Sequence, residues 1–409
     1  MTRSKLSRPV TFLGIAALTI GVSGCAASEA TDTAGVTISV VDSITSEPGS
    51  TDLAAMLDAC GEPEGITIAR EQVPSSEVVQ KVLQRASSQT LPDLLQLDNP
   101  DVVQFADIDA LHPLADFGID LEAYNEGMLG ASTLDGDVYG LAPSINTLVL
   151  FYNKDLLAEA GVDVPATWDE LRDAAAALTT ADRYGFSMSA TASYEGTWQF
   201  LPYIWSNGGD EKDITSPETV EALEFVVDLM KDGSMSQSVV GWGQGDVLDQ
   251  FTAGEVPLVE GGIWTFKTLN AVEDLNWGVS TFPTPDGGNL ATPLGGKVWT
   301  LPVTGDPEKA AAAAKILECL NSDENQTANA ESNGAIPSNV SVAAEFAKQN
   351  ELDYIETSVE AVKHVRARTR ELGVDWPATA TAIHTALQSA LTGQQTAEEA
   401  LNSAASTIR

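Results

Sequence analysis

Basic side chains are scarce in this 409-residue chain: 21 lysines and arginines stand against 59 aspartates and glutamates, for a formal net charge of −38. A phosphate backbone would be repelled, so nucleic acid is not an expected partner. Histidine is scarcer still. His112, His364 and His384 show no metal-ligand spacing, so no metal or other cofactor is expected. No G-x-S-x-G elbow occurs, and "GWGQGD" (Gly241–Asp246) has too few spaced glycines, in the wrong context, for a dinucleotide loop. A non-enzyme is therefore expected. Carboxylate pairs are the one hydrolytic device that so many acids leave open. Low-complexity tracts and internal repeats are absent.

Long apolar runs are lacking too, apart from Val10 to Val22, which carries no charge. Thirteen residues are too few to span a bilayer and suit the core of a signal peptide. Arg3, Lys5 and Arg8 precede the run, and Ser23-Gly24-Cys25 close it. The pattern resembles a bacterial lipoprotein signal, which implies cleavage after residue 24 and a diacylglycerol on the Cys25 sulfur. Two acyl chains hold stably where one does not. The expected location is the outer face of the bacterial cytoplasmic membrane, with residues 25–35 as a flexible tether. With residues 1–24 removed, 385 residues remain at a net charge of −41, too many for one compact core, so two lobes are expected. Only Cys60 and Cys319 are then left. Outside the cytoplasm such a pair reads as a disulfide, with two separately buried thiols as the alternative.

Strand and helix alternate from the start of the mature part. "VTISVVDS" (Val36–Ser43) reads as a strand and leads to a helix ending near Cys60. "GITIAREQ" (Gly65–Gln72) leads to a helix from about Ser75 to Ser88, and "PDLLQLD" (Pro92–Asp98) is a third, apolar strand. This is the spacing of parallel βαβ units. Asp135-Gly136 marks a hairpin turn before an extended run near residue 145 that could join two lobes. Downstream, Thr167–Glu170 and Thr396–Glu399 are capping boxes, and Ser216-Pro217 and Asp306-Pro307 open further helices.

"LDGDVYGLAPSINTLVLFYNKDLLAEAGVDVPATWDEL" (Leu134–Leu171) resembles family 1 extracellular solute-binding proteins of ABC importers, the group that contains maltose-binding protein. "PDLLQLD", "YIWSNGGD", "FTAGEVPLVEGGIW", "FPTPDGGNLATPLGGKVWTLP", "NGAIPSN" and "ALQSALTGQQTAEEAL" fit in the same order. The chain departs from the family at Val256-Pro257-Leu258 and in "VRARTRELGVDWP". The resemblance implies an α/β periplasmic-binding-protein fold: two lobes with a ligand cleft between them, joined by a hinge that the chain crosses more than once. One lobe would hold residues 36–144 and 282–325, the other 145–281 and 326–409, which places Cys60 and Cys319 together. It also implies ABC permease subunits as partners, contact with the membrane through the anchor alone, and a monomer.

Eight tryptophans direct attention to carbohydrate, whose apolar C–H faces suit aromatic plates ringed by carboxylates and amides. Trp168 and Trp277 read as structural and Trp205 as core. Trp198 and Trp264 match positions where the family presents an aromatic to ligand; Trp242 and Trp299 are further candidates. Asp98 ends the third strand, where ligands bind in such sheets. Glu47, Asn146 and Glu195 are candidate polar partners. Arg368 falls at a cleft arginine of the family, with Arg366 and Arg370 as competing registers. The rival ligands on the same fold are a glycerophosphoester, a polyol or a polyamine, and a surface sensor is the rival role.

Overall fold

A computed structural model of the protein describes residues 35–408 apart from Ser46 and Glu351. The expected signal peptide, Cys25 and nearly all of the tether lie outside the described residues. Two sheets organise the rest. In the first, Thr67–Gln72, Thr37–Asp42 and Leu94–Asp98 run parallel in that order. Lys297–Thr300 then lies antiparallel to Leu94–Asp98, and Gly140–Leu141 closes the sheet. Leu94–Asp98 is buried on both faces, as a central strand of a parallel sheet requires, with Gln96 accepting from the Ser43 amide. The helices Gly49–Gly61 and Pro307–Leu320 pack together on this sheet, and Cys60 is disulfide-bonded to Cys319.

The second sheet has the order Trp277–Ser280, Leu148–Asn153, Leu258–Gly262, Phe186–Ser187. Leu148–Asn153 is antiparallel to both of its neighbours, and the helices Trp168–Leu178, Tyr194–Ser206, Pro217–Lys231 and Trp376–Leu391 bury one face. Local chemistry sets their ends. Thr167 with Glu170, and Thr396 with Glu399, form complete capping boxes. Gly233, at φ +80°, ends the helix Pro217–Lys231 in the left-handed conformation that suits glycine. Among the described residues no helix is long and apolar enough to cross a membrane.

Three segments run between the sheets. Ser144–Ile145 pairs antiparallel with Ile336–Pro337, and Asn146 exchanges backbone hydrogen bonds with Gly295. This is a two-lobe periplasmic-binding-protein fold with a hinge crossed more than once. Phe282 packs edge-on against Tyr203 in the core of the second sheet. Thr284 and Ala166 are hydrogen-bonded on that side as well.

Candidate functional site

Asp98 sits where its strand ends and caps the helix Asn99–Asp107, accepting a hydrogen bond from the Asn99 amide at 3.1 Å. Lys297 lies directly opposite it across the antiparallel pairing. Arg368 arrives from the far end of the chain. Its guanidinium donates to Asp98 Oδ2 at 3.0 Å and to Asn99 Oδ1 at 3.4 Å, and it lies 4.5 Å over the Trp198 ring. Asn99 in turn donates to the Leu294 carbonyl at 3.1 Å, anchoring the crossing segment. The Asn146 side chain and the edge of Trp198 crowd onto Gly295: a Cβ there would stand 1.9 Å from Asn146 Oδ1 and 2.8 Å from the Trp198 ring. Only glycine allows that approach. Asp98, Asn146, Trp198 and Arg368 therefore meet at the hinge.

The charges are balanced rather than simply cationic. Burial pushes the Asp98 carboxyl up, but the charges of Arg368 and Lys297 and the hydrogen bond from Arg368 more than offset it, leaving Asp98 below the ordinary range. Asp101, one helical turn on, is pushed up to about 7, by burial first and by the Asp98 charge second. Tyr194, at the start of the Trp198 helix, feels the Asp101 charge.

Arg368 is 4 % exposed, so removing its partner would strand a buried cation. Asp98→Asn is expected to cost about 2–3 kcal/mol at pH 7, below the full buried-pair range because the Asp98 side chain is itself 34 % exposed. A carboxyl whose folded pKa is depressed stabilises above its ordinary value and loses that contribution as pH falls through the folded one. Urea melts should therefore show the deficit at pH 7 and its disappearance as the pH drops below that of an ordinary aspartate. A deficit that does not change with pH would contradict the ion-pair account.

The other expected site residues are more dispersed. Trp264 follows the strand Leu258–Gly262, half-buried, with its ring lying where a Cβ on Gly262 would sit. Glu47 is exposed and accepts from the Thr51 amide at 3.2 Å. Glu195 accepts from Ser189 Oγ at 2.9 Å and from the Gln244 amide at 2.6 Å, tying the Trp198 helix to the start of the helix Gln244–Thr252. Trp242 is half-buried and wedged against both cores that flank the second sheet. Trp299 is a correction: at 1 % exposure it lies in the first lobe's core with Cys60 and Leu317, on the same face of its strand as Lys297 but two residues further in from the end where Lys297 meets Asp98.

The ambiguity among the arginines resolves by partner. Arg366 stacks 4.9 Å over Trp205 and pairs with Glu211 at 2.8 Å, and Arg370 is exposed beside Glu371. Sequence reasoning missed Asn99, Asp101 and Lys297. The first two were within reach, since a helix capped by Asp98 carries residue 101 on its first turn. Lys297 depends on strand register and had no local signal. Among the described residues no cluster of three or more His, Cys, Asp or Glu side chains could hold a metal.

Comparison with known proteins bears on this arrangement. The chain is 28 % identical over 315 residues to the maltodextrin-binding protein of Bacillus subtilis (strain 168), covering 68 % of this chain and 71 % of that one. A binding protein of Brucella abortus (strain 2308) is 28 % identical over 234 residues; the match spans 54 % of this chain and only 57 % of that protein's length. Among solved structures, maltose-bound MalE3 of T. maritima superposes with a TM-score of 0.81 at 26 % identity, over 91 % of this chain and 99 % of that one. The family model described as bacterial extracellular solute-binding protein matches residues 55–354. With its two sheets, its crossed hinge and polar and aromatic groups gathered at the crossing, the chain belongs to the bacterial extracellular solute-binding protein family.

Proposed function

We propose that this protein is the lipid-anchored carbohydrate receptor of an ABC importer. It captures an oligosaccharide between its two lobes. Closure around the sugar presents the loaded protein to the permease subunits. Cys25 carries the lipid, and the protein acts as a monomer, without a cofactor and without turning the sugar over.

The observation that carries this reading is the meeting of Asp98, Arg368, Trp198 and Asn146 at the hinge crossing. Hydroxyl groups of a sugar both donate and accept, and here carboxylate, guanidinium and amide gather beside an indole. Trp198 has one face covered by Arg368, so it supports the site from the side. Trp264, half-buried after its glycines, is the plate on which a ring can stack. Covering about 100 Å² of apolar surface contributes roughly 2.5 kcal/mol. The sugar-binding relatives named above support the ligand class.

The test is a thermal-shift screen of the chain lacking residues 1–25, which keeps the whole compact unit Thr33–Arg409. Mono- and oligosaccharides, glycerophosphodiesters and polyamines form the panel. A ligand at 100 times its Kd is expected to add about 2.7 kcal/mol of stability. Trp264→Ala is expected to weaken the effective sugar about tenfold to a hundredfold, the loss of roughly 1.5–3 kcal/mol of stacking burial. A second reading draws on the two cations, Lys297 and Arg368, beside Asp98. If only a phosphodiester raises the melting temperature, that reading replaces carbohydrate.

A further inference from the structure

Beside the hinge, where the helix Asp323–Asn333 packs on Ser144–Ile145 and Ile336–Pro337, a second contact joins the two halves. Asp52 stands on the first exposed turn of the helix Gly49–Gly61, which packs on the first sheet. Its Oδ2 accepts from Ser332 Oγ at 2.6 Å and lies 3.6 Å from Lys267 Nζ, and Lys267 reaches Ser332 Oγ at 3.5 Å. Lys267 belongs to the short helix Phe266–Asn270, and Ser332 to Asp323–Asn333, which packs against it. One carboxylate from the first half thus meets an ammonium from the second and a hydroxyl from the helix that bridges them, whose Asn325 donates to the Cys319 carbonyl and whose far end packs on Phe266–Asn270. All three sit at the rim, and the Lys267 and Asp52 side chains are about half exposed.

What the contact connects gives it a function. Glu47 is held to Thr51, the residue before Asp52, so Asp52 reports the position of the turn that carries Glu47. Lys267 comes three residues after Trp264, in the helix that continues its turn. We infer that Asp52, Lys267 and Ser332 form a clasp that holds the protein closed and brings the Glu47 turn to the Trp264 turn, setting ligand affinity without touching ligand. The inference rests on the reading of the cleft as a binding site. Because the clasp forms only when the halves approach, its free energy adds to the closed state alone and appears in the rate of ligand escape. An exposed pair of this kind contributes at most about 1 kcal/mol, or roughly fivefold in an equilibrium.

The test separates closure from binding. Spin labels are attached at Asp58→Cys and Asp163→Cys, both on exposed surface of opposite halves, in the chain lacking residues 1–25. Double electron–electron resonance then reads the distance between the halves without ligand. Lys267→Glu is expected to enrich the longer distances about threefold to fivefold, and the exchanged pair Asp52→Lys with Lys267→Glu to restore the wild-type distribution. With the sugar from the screen, Lys267→Glu is expected to raise the dissociation rate by a similar factor and to leave the association rate and the ligand-free melting temperature unchanged. The wild-type effect should also shrink at 1 M salt, where exposed charges are screened. A Lys267→Glu distance distribution that superimposes on the wild type overturns the clasp. So does a lowered ligand-free melting temperature that the exchanged pair fails to restore, since that is a local packing role. If no sugar in the panel binds, the carbohydrate reading fails while the distance measurement still decides the clasp.

Discussion

Arg70→Met is expected to destabilise the protein by about 3–5 kcal/mol, because it leaves Asp42 charged and fully buried. Arg70 grips that carboxylate with both forks: Nε donates to Oδ2 at 2.6 Å and Nη2 to Oδ1 at 2.9 Å. Nη1 donates to the Ser50 carbonyl at 2.7 Å, and Nη2 also reaches the Ile44 carbonyl at 3.4 Å. The pair therefore does more than neutralise charge in the first sheet. It ties the end of the strand Thr37–Asp42 to the start of the helix that carries Asp52, with the Glu47 turn between them. Without Arg70, the Ile44 amide, at 2.9 Å, is the chief donor left to Asp42. Denaturant unfolding followed by tryptophan fluorescence gives the loss directly. Replacing both partners, Asp42→Leu with Arg70→Met, is expected to recover most of it, since two apolar side chains leave no stranded charge. A single-variant loss below about 1 kcal/mol would show that Asp42 finds other solvation and that the pair is not what braces the turn.

Glu260→Gln is expected to do the opposite and make the protein more stable. Glu260 lies in the strand Leu258–Gly262 opposite Leu150, 1 % exposed. The polar group that faces the carboxyl is the Tyr203 hydroxyl, buried beside it, and neither has another hydrogen-bond partner among the described residues. Burial holds the carboxyl well above the ordinary range, and the nearby Tyr203 hydroxyl offsets only a small part of that. The folded chain must therefore take up a proton that the unfolded chain has released at neutral pH. The stability this group allows is complete below the ordinary value, near pH 4.5, and is lost as the pH rises through the folded value. Glutamine carries the neutral shape permanently. The variant should match the wild type at pH 4 and exceed it by a margin that grows as the pH rises to 7. Melts across pH 4–8 test this, and equal stability at both ends would mean that the carboxyl is solvated or paired.

Much of this molecule is legible along the chain. The first three strands and their helices declare themselves because a buried parallel strand needs a continuous apolar run, and "PDLLQLD" has one. Thr167 and Thr396 cap their helices because hydroxyl and glutamate stand three residues apart, a relation complete within one turn. Asp98 could be picked out for the same reason: strand ends and helix starts are local. Trp299 could not be judged that way. Its neighbours "GGKV" look like a site approach, and only the pleat of a strand paired with Leu94–Asp98 on one side and Gly140–Leu141 on the other sends it into the core.

The sequence by itself determined the order of the elements, the capped helix ends, the acidic surface and the residue types available for a polar, aromatic site. Each depends on neighbours a few positions apart. The tertiary structure alone decided which of Arg366, Arg368 and Arg370 meets Asp98, across 270 residues, and that Lys297 stands opposite it. It also set Asp52 against Lys267 and Ser332. These contacts join segments whose separation in sequence carries no periodic signal, so packing and strand register, rather than local propensity, select the partners.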